Sequence, residues 1–241
     1  MFPKIDHHHS HLAGQTVDWF CIDTEYVHEE NLKNPARRKI LEDNNWINTK
    51  VEYSFNSHGF RSDEFVADAP AIMCLGASIV LGTAVPYENT WPFLLQKKHN
   101  MLNYNLGISG GSNDTAFRIG SHYIPQLKPN LVIFVNTYTW RLDLITDEKF
   151  HTFYDMRHSC PEKYRPYYKE WILTLENGEL NYLKNKLALF EICHQEKIPI
   201  VEIDGDKIYK MAQHTFGRDT MHPGIEGHEI IAAYIAEQLN W

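Results

Sequence analysis

The sequence predicts an α/β protein of three layers, a parallel sheet with helices on both faces, preceded by an N-terminal cap. Three observations predict it. From residue 71 onward, apolar runs of strand length alternate with helical stretches, as strand–helix–strand units require. One run, LVIFV at 131–135, is apolar throughout, which suits a central parallel strand covered on both sides. Residues 1–69 lack this rhythm and are polar, rich in His, Asn and charge. They are assigned to the cap, and residues 70–241 to the α/β domain.

In the cap, a helix is expected from about Thr24 to Leu41. VEYSF at 51–55 alternates apolar and polar residues, as a short strand does, ahead of a turn at Ser57–Gly59. In the main domain Ala71–Leu75 reads as the first strand. Asn89–His99 reads as a helix with Trp91, Leu94 and Leu95 on one face. Leu102–Leu106 is the second strand, Asp114–Ile124 a helix and Leu131–Val135 the third strand. Leu180–His194 is amphipathic, with Leu183, Leu187 and Phe190 at helical spacing. Pro199–Ile203 is a further strand. Gly227–Leu239 closes the chain as a helix with Ile230, Ile231, Tyr234 and Ile235 inward. The rhythm breaks at 136–175, a long, poorly periodic stretch that includes Tyr138, Trp140, Tyr154, Tyr168 and Trp171. Long connections of this kind are uncommon unless functional. This one follows the carboxyl end of the central strand, where open sheets bind ligands. Two readings stay open: a lid or substrate wall, and an aromatic mini-core joining cap to sheet.

The 241 residues carry 23 Lys and Arg against 31 Asp and Glu, a formal charge of −8. That balance, without any basic run, argues against nucleic acid or an anionic membrane as partner. No stretch approaches membrane-spanning length. The opening MFPKIDHHHSH has no apolar core, so no signal peptide is expected. Cys21, Cys74, Cys160 and Cys193 are scattered and never in C-x-x-C spacing, as in a reduced cytoplasmic protein. Cys74, inside the first strand, reads as a small buried hydrophobe. Imidazole clusters such as DHHHSH at 6–11 bind zinc or nickel, but a run so near a terminus also reads as a polar tail. No metal is assigned.

The chemistry concentrates at three places. In CLGASIVLG, residues 74–82, the first strand ends in small residues around Ser78, either to permit a bend or to present a nucleophile. In GRDTMHPGIEGH, residues 217–228, Asp219 stands three residues before His222. That spacing lets a carboxylate hold Nδ1 of the imidazole and leave Nε2 as a base for a serine hydroxyl. In NLGISGGSND, residues 105–114, a Gly-rich turn enters a helix and exposes N–H groups suited to an oxyanion. Gly110 and the Ser78 amide are the candidate donors. Ser112 or Asn113 is the candidate helix cap. Arg61 and Arg141 can clamp a substrate anion or pair with Asp63 and Asp143.

LGASIVLG, NLGISGGSN and DTMHPGIEGH, in this order, resemble blocks I, II and V of the SGNH (GDSL-like) hydrolase superfamily over roughly residues 51–241. FNSHGFRSDEF at 55–65 resembles a lead-in found in some members. The resemblance implies a flavodoxin-like parallel sheet, with Ser78 as nucleophile, His222 as general base and Asp219 as its orienting carboxylate. It implies oxyanion contacts from Gly110 and Ser78 and no cofactor. Two positions depart from the family pattern. Ala77 stands where block I usually has Asp, and Thr139 and Trp140 stand where block III usually has Asn and Asp. Thr139, Asn113 or Asn136 is then left to supply the third oxyanion donor, with Trp140 and Arg141 at the substrate. The implied activity is hydrolysis of a small O-acyl ester, such as an O-acetylated carbohydrate, through an acyl-serine. Acyl transfer on the same triad and a non-catalytic binding module remain open beside it.

Overall fold

The computed structural model describes residues 4–145, 150–154 and 159–241. The start of the histidine-rich terminus (1–3) and two parts of the aromatic segment (146–149 and 155–158) lie outside the described residues. In chain order the elements are β1 (Thr16–Val17), α1 (Glu25–Lys33), α2 (Pro35–Asp43), β2 (Tyr53–Ser54), β3 (Ala71–Gly76), α3 (Ser78–Leu81), α4 (Trp91–His99), β4 (Leu102–Gly107), α5 (Asn113–Leu127), β5 (Leu131–Val135), β6 (Leu142–Ile145), β7 (Phe150–Phe153), α6 (Arg165–Leu173), α7 (Leu175–Glu196), β8 (Ile200–Ile203), α8 (Gly205–Ala212) and α9 (Ile225–Gln238).

Among the described residues the central sheet runs β4–β3–β5–β8, and every pairing in it is parallel. Successive side chains of a strand point to opposite faces. Met73 and Leu75 of β3 therefore join α5 and α7 in one core, with Ile119, Tyr123 and Leu189. Ile72 and Cys74 join α4, α8 and α9 in the other, with Trp91, Ile208 and Ile231. The three-layer α/β/α architecture follows. The chain leaves β3 toward β4 on one side and reaches β5 on the other, so the order switches at the carboxyl end of β3. Crevices for ligands open at such points. No helix of the described residues is long and apolar enough to cross a membrane.

Several expectations need correction. The single helix from Thr24 to Leu41 is two helices. Pro35 lacks an amide and disfavours helical backbone in the residue before it, and the Asn34 side chain caps the second helix by accepting from the amides of Ala36 and Arg37. The buried stripe of α7 is Gly178, Asn185, Leu189 and Cys193; Leu183 and Leu187 face solvent. Helical spacing selects a stripe, but tertiary contacts choose which stripe is covered. Helix α8 was not anticipated, although Asp204 accepts from the amides of Asp206 and Lys207 as an N-cap should. The aromatic segment holds an antiparallel hairpin, β6 with β7, and helix α6. These share a small core of Phe153, Cys160 and Tyr168.

The histidine run is not a loose polar tail. His7 and His9 are buried. His7 stacks on Phe60 and donates from Nε2 to the His58 carbonyl, while His9 packs edge-on to Phe20. Burial, partly offset for His7 by the His58 hydrogen bond, pulls its pKa down to about 4 and holds that of His9 well below the ordinary value. Through Phe60, His7 borders the core of α5 and α7, and through Phe20 and Phe55 His9 borders a cluster in which Leu12, Leu41, Trp46, Val51, Tyr53 and Phe55 pack together with Val85, just beyond α3.

Candidate active site

Ser78 opens α3 directly after β3. The turn between them depends on Gly76, whose φ is 155° and where a Cβ would stand 2.6 Å from Val80 Cγ2 and 2.8 Å from the Val135 carbonyl oxygen. On the neighbouring strand, a Cβ on Gly107 would meet the Leu81 amide nitrogen at 2.4 Å. Small residues on both strands therefore let α3 sit hard against the sheet edge. Ser78 is left half-buried at the first turn of a helix, where backbone N–H groups have no intrahelical partner.

The loop before α9 brings the other two groups. Asp219 is buried. Its Oδ1 accepts from the amides of Met221 and His222, each at 2.9 Å. Its Oδ2 accepts from His222 Nδ1 at 2.5 Å. With Nδ1 as donor, Nε2 carries the lone pair, and the Ser78 hydroxyl donates to it at 2.9 Å. Burial pushes the Asp219 carboxyl up, but the His222 ring and the two amides outweigh it and hold the group below its ordinary value. The loop closes through Thr220, which sits at φ 61°, a left-handed conformation rare for a β-branched residue. His228, the later histidine of the motif, is a packing residue. Its Nδ1 accepts from the Trp91 amide at 3.2 Å, and burial pulls its pKa down to about 3.

A cavity of about 650 Å³ opens beside Ser78 and His222. Its walls come from the carboxyl ends of β5 (136–141) and β8 (Gly205, Asp206, Tyr209), with Ile79 and Met221. Tyr138 and Trp140 stack with centroids 4.1 Å apart and planes 14° apart. Thr139, Trp140 and Arg141 line this cavity, as does Asn136. The Asn136 amide is engaged, donating to Glu202 and accepting from the Gly205 amide. Arg141 reaches the Gly111 carbonyl at 3.2 Å and Thr137 Oγ1 at 3.3 Å rather than Asp143.

Two candidates are placed elsewhere. Asn113 is not a free oxyanion donor, because Nδ2 donates to the Thr137 carbonyl and Oδ1 accepts from the Thr137 amide, both at 3.0 Å. It anchors the loop that carries Thr139 instead. Gly110, at φ 69°, lies under the Tyr154 ring, and a Cβ there would meet ring carbon at 2.9 Å. Neither residue lines the cavity. Arg61 is fully buried, and its guanidinium donates to the carbonyls of Glu52, Gly82 and Val85; it does not face a substrate. The Asp143 carboxylate accepts from Ser112, Thr115 and Thr152. Tyr209 and Met221 were missed in the sequence; Tyr138 was read only as one member of the aromatic segment. For Tyr209 a signal existed, the cap Asp204 ahead of Ile208 and Ala212 at helical spacing.

Solved structures offer likenesses. An esterase, EstA, from Pseudoalteromonas sp. is 15% identical, with a TM-score of 0.39, over 70% of this chain and 96% of its own. A catalytic mutant of the acetylxylan esterase Axe2 from Geobacillus stearothermophilus is 14% identical, with a TM-score of 0.36, over 73% and 97%. A GDSL-like lipase from Bacteroides thetaiotaomicron is 16% identical, with a TM-score of 0.35, over 70% and 87%. No protein-family model and no curated protein matches the sequence.

Proposed function

We propose that this chain is a serine ester hydrolase of the SGNH (GDSL-like) kind. The supporting observation is the unbroken chain of hydrogen bonds Ser78 Oγ–His222 Nε2 and His222 Nδ1–Asp219 Oδ2, at 2.9 and 2.5 Å, beside a cavity of substrate size. His222 Nε2 takes the Ser78 proton as Oγ bonds to the ester carbonyl carbon. The C–O bond to the alcohol then breaks, and the alcohol leaves with that proton from His222. Water attacks the acyl-serine with His222 again as base, the acid departs, and Ser78 regains its proton. The tetrahedral oxyanion is met by the Ser78 amide, with the Thr139 hydroxyl, at the cavity wall, as a further donor. The acyl group is small. The stacked Tyr138–Trp140 pair gives the cavity a flat aromatic wall that suits a sugar ring, so an O-acetylated carbohydrate is the favoured substrate class.

The test uses a fluorophosphonate probe and p-nitrophenyl acetate. Wild type should label and turn over, and Ser78→Ala and His222→Ala should do neither. Failure of wild type to label sinks the proposal, and product appearing only with an added alcohol acceptor replaces it with acyl transfer.

A further inference from the structure

Residues 1–69 reach the loops that carry the candidate catalytic groups. Asp23 and Arg218 form an ion pair in which both side chains are almost wholly buried. Arg218 donates from Nε to Asp23 Oδ1 at 3.0 Å and from Nη2 to Oδ2 at 2.8 Å. The guanidinium also lies 3.7 Å from the centroid of Trp19 and donates to the Asp18 carbonyl at 2.7 Å. Arg218 is the residue before Asp219.

Asp23 reaches a second element. The Tyr53 hydroxyl donates to Asp23 Oδ2 at 2.6 Å and accepts from the Ala84 amide at 2.8 Å. The Ala84 carbonyl in turn accepts from the Arg218 amide at 2.9 Å. These contacts close a ring: Asp23, Tyr53, Ala84, Arg218 and back to Asp23. One arm of the ring holds the chain six residues after Ser78, and the other holds the chain just before Asp219. Ala84 stands at φ 66°, a conformation that needs such support. Further cap contacts fall on the same loop. Asn31 donates to the Asp219 carbonyl at 3.2 Å, and Trp46 Nε1 donates to the Phe216 carbonyl at 2.6 Å.

We infer that Asp23, through Arg218 and Tyr53, is a positioning residue that fixes the separation between the serine and the imidazole–carboxylate pair. Asp23 touches none of the three groups and acts only through the two chain segments that carry them. Its kinetic consequence rests on the ester-hydrolase proposal, but its geometric consequence does not. A carboxylate removed here leaves a buried guanidinium without its counter-charge, and the loop shifts to rehydrate it. Displacements of about 1 Å cost on the order of 100-fold in rate.

The experiment pairs kinetics with proton NMR on the full chain. The short Nδ1–H bond of His222 to Asp219 gives a far-downfield resonance, assigned by its loss in His222→Gln. Asp23→Asn should weaken or move that resonance and lower kcat per fluorophosphonate-titrated site about 10- to 100-fold, with KM changed less than twofold. Asp23→Glu should restore part of both, and Asp43→Asn, an exposed control, should change neither. Tyr53→Phe, which keeps the ring and cuts one link, should show the same pattern at about 3- to 10-fold, and it stands in if Asp23→Asn does not fold. A folded Asp23→Asn or Tyr53→Phe protein with the wild-type resonance overturns the inference, whether or not the wild type proves to be an esterase. Loss of folded protein with unchanged kcat per titrated site overturns it equally, since that is what a purely structural role produces.

Discussion

Two loops face each other across Ser78, and they are built differently. The loop at 217–222 is interior over its first four residues, with Met221 exposed and His222 half-buried at its end. Gly217, Arg218, Asp219 and Thr220 are all buried, and its carbonyls and side chains are held by the cap. The loop at 136–141 is half-open. Its backbone is pinned at Thr137 by Asn113, yet Trp140 remains 44% exposed. The contrast teaches where each kind of constraint belongs. A base must hold one orientation to take a proton from one oxygen, so its loop is over-determined. A substrate wall needs shape and an apolar face, which a stacked aromatic pair supplies while remaining in contact with solvent.

The largest expected effect falls on the interior loop. Asp219→Asn keeps the shape but offers Nδ1 an amide, which favours the wrong tautomer, and kcat should fall by about 10⁴-fold. Steady-state kinetics on a folded variant decide this. A loss below tenfold would mean that the interior loop does not govern the chemistry.

Next comes acid stability, which separates the two sides of the site. On the cap side, burial depresses His7 to about 4. Between the ordinary value of about 6.5 and pH 4 the unfolded chain binds the proton that the folded chain refuses. Stability is therefore constant above that window and falls as pH drops through it. From pH 7.5 to pH 5 the loss from His7 alone is about 2 kcal/mol. On the hairpin side the sign reverses. Burial, opposed by three hydroxyl donors, raises Asp143 to about 6. Its contribution is fully present below the unfolded value of about 4 and is lost as pH rises through 6. Urea denaturation at several pH values should show stability falling toward acid. His7→Asn should flatten that slope and Asp143→Asn should steepen it. The two variants changing the slope in the same sense would refute the opposition.

A smaller effect is expected on the open loop. Trp140→Ala should raise KM about 10-fold and leave kcat within about threefold, because it removes binding surface present in ground and transition states alike. If kcat falls instead, with KM unchanged, Trp140 belongs to the chemistry and the two loops are less distinct than their burial suggests. Smallest is Thr220→Asn. Asparagine tolerates the left-handed backbone better than a β-branched residue, so thermal denaturation should show stabilisation of about 1 kcal/mol. A lower midpoint would mean that Thr220 packing outweighs its backbone strain.

Much of the architecture was legible in the sequence because its signals are local. β3, β5 and β8 are short, mostly apolar runs, β4 alternates Leu102, Tyr104 and Leu106 with asparagines, and α5 and α9 carry a stripe that one helix can display by itself. The Asp-x-x-His spacing announced the carboxylate–imidazole pair, since three residues suffice to bend a side chain back onto its own turn. The hairpin β6–β7 was not legible, because its anchors are distant in sequence: Asp143 is held by Ser112 and Thr115 at the α5 entry. The stripe of α7 was misassigned for a related reason: two faces of the helix carry leucines, and its packing on α5, where Leu189 sits on Gly120, selects one.

By itself, then, the sequence determined which residues are chemically able and which strand ends carry them. The tertiary structure alone decided which of them meet. It turned Asn113 onto a neighbouring backbone, buried Arg61 under the carbonyls beyond Ser78, and set Asp23 against an arginine 195 positions away. Hydrogen bonds and buried charges depend on distance in space and on the exclusion of water, and neither quantity is written in the order of the residues.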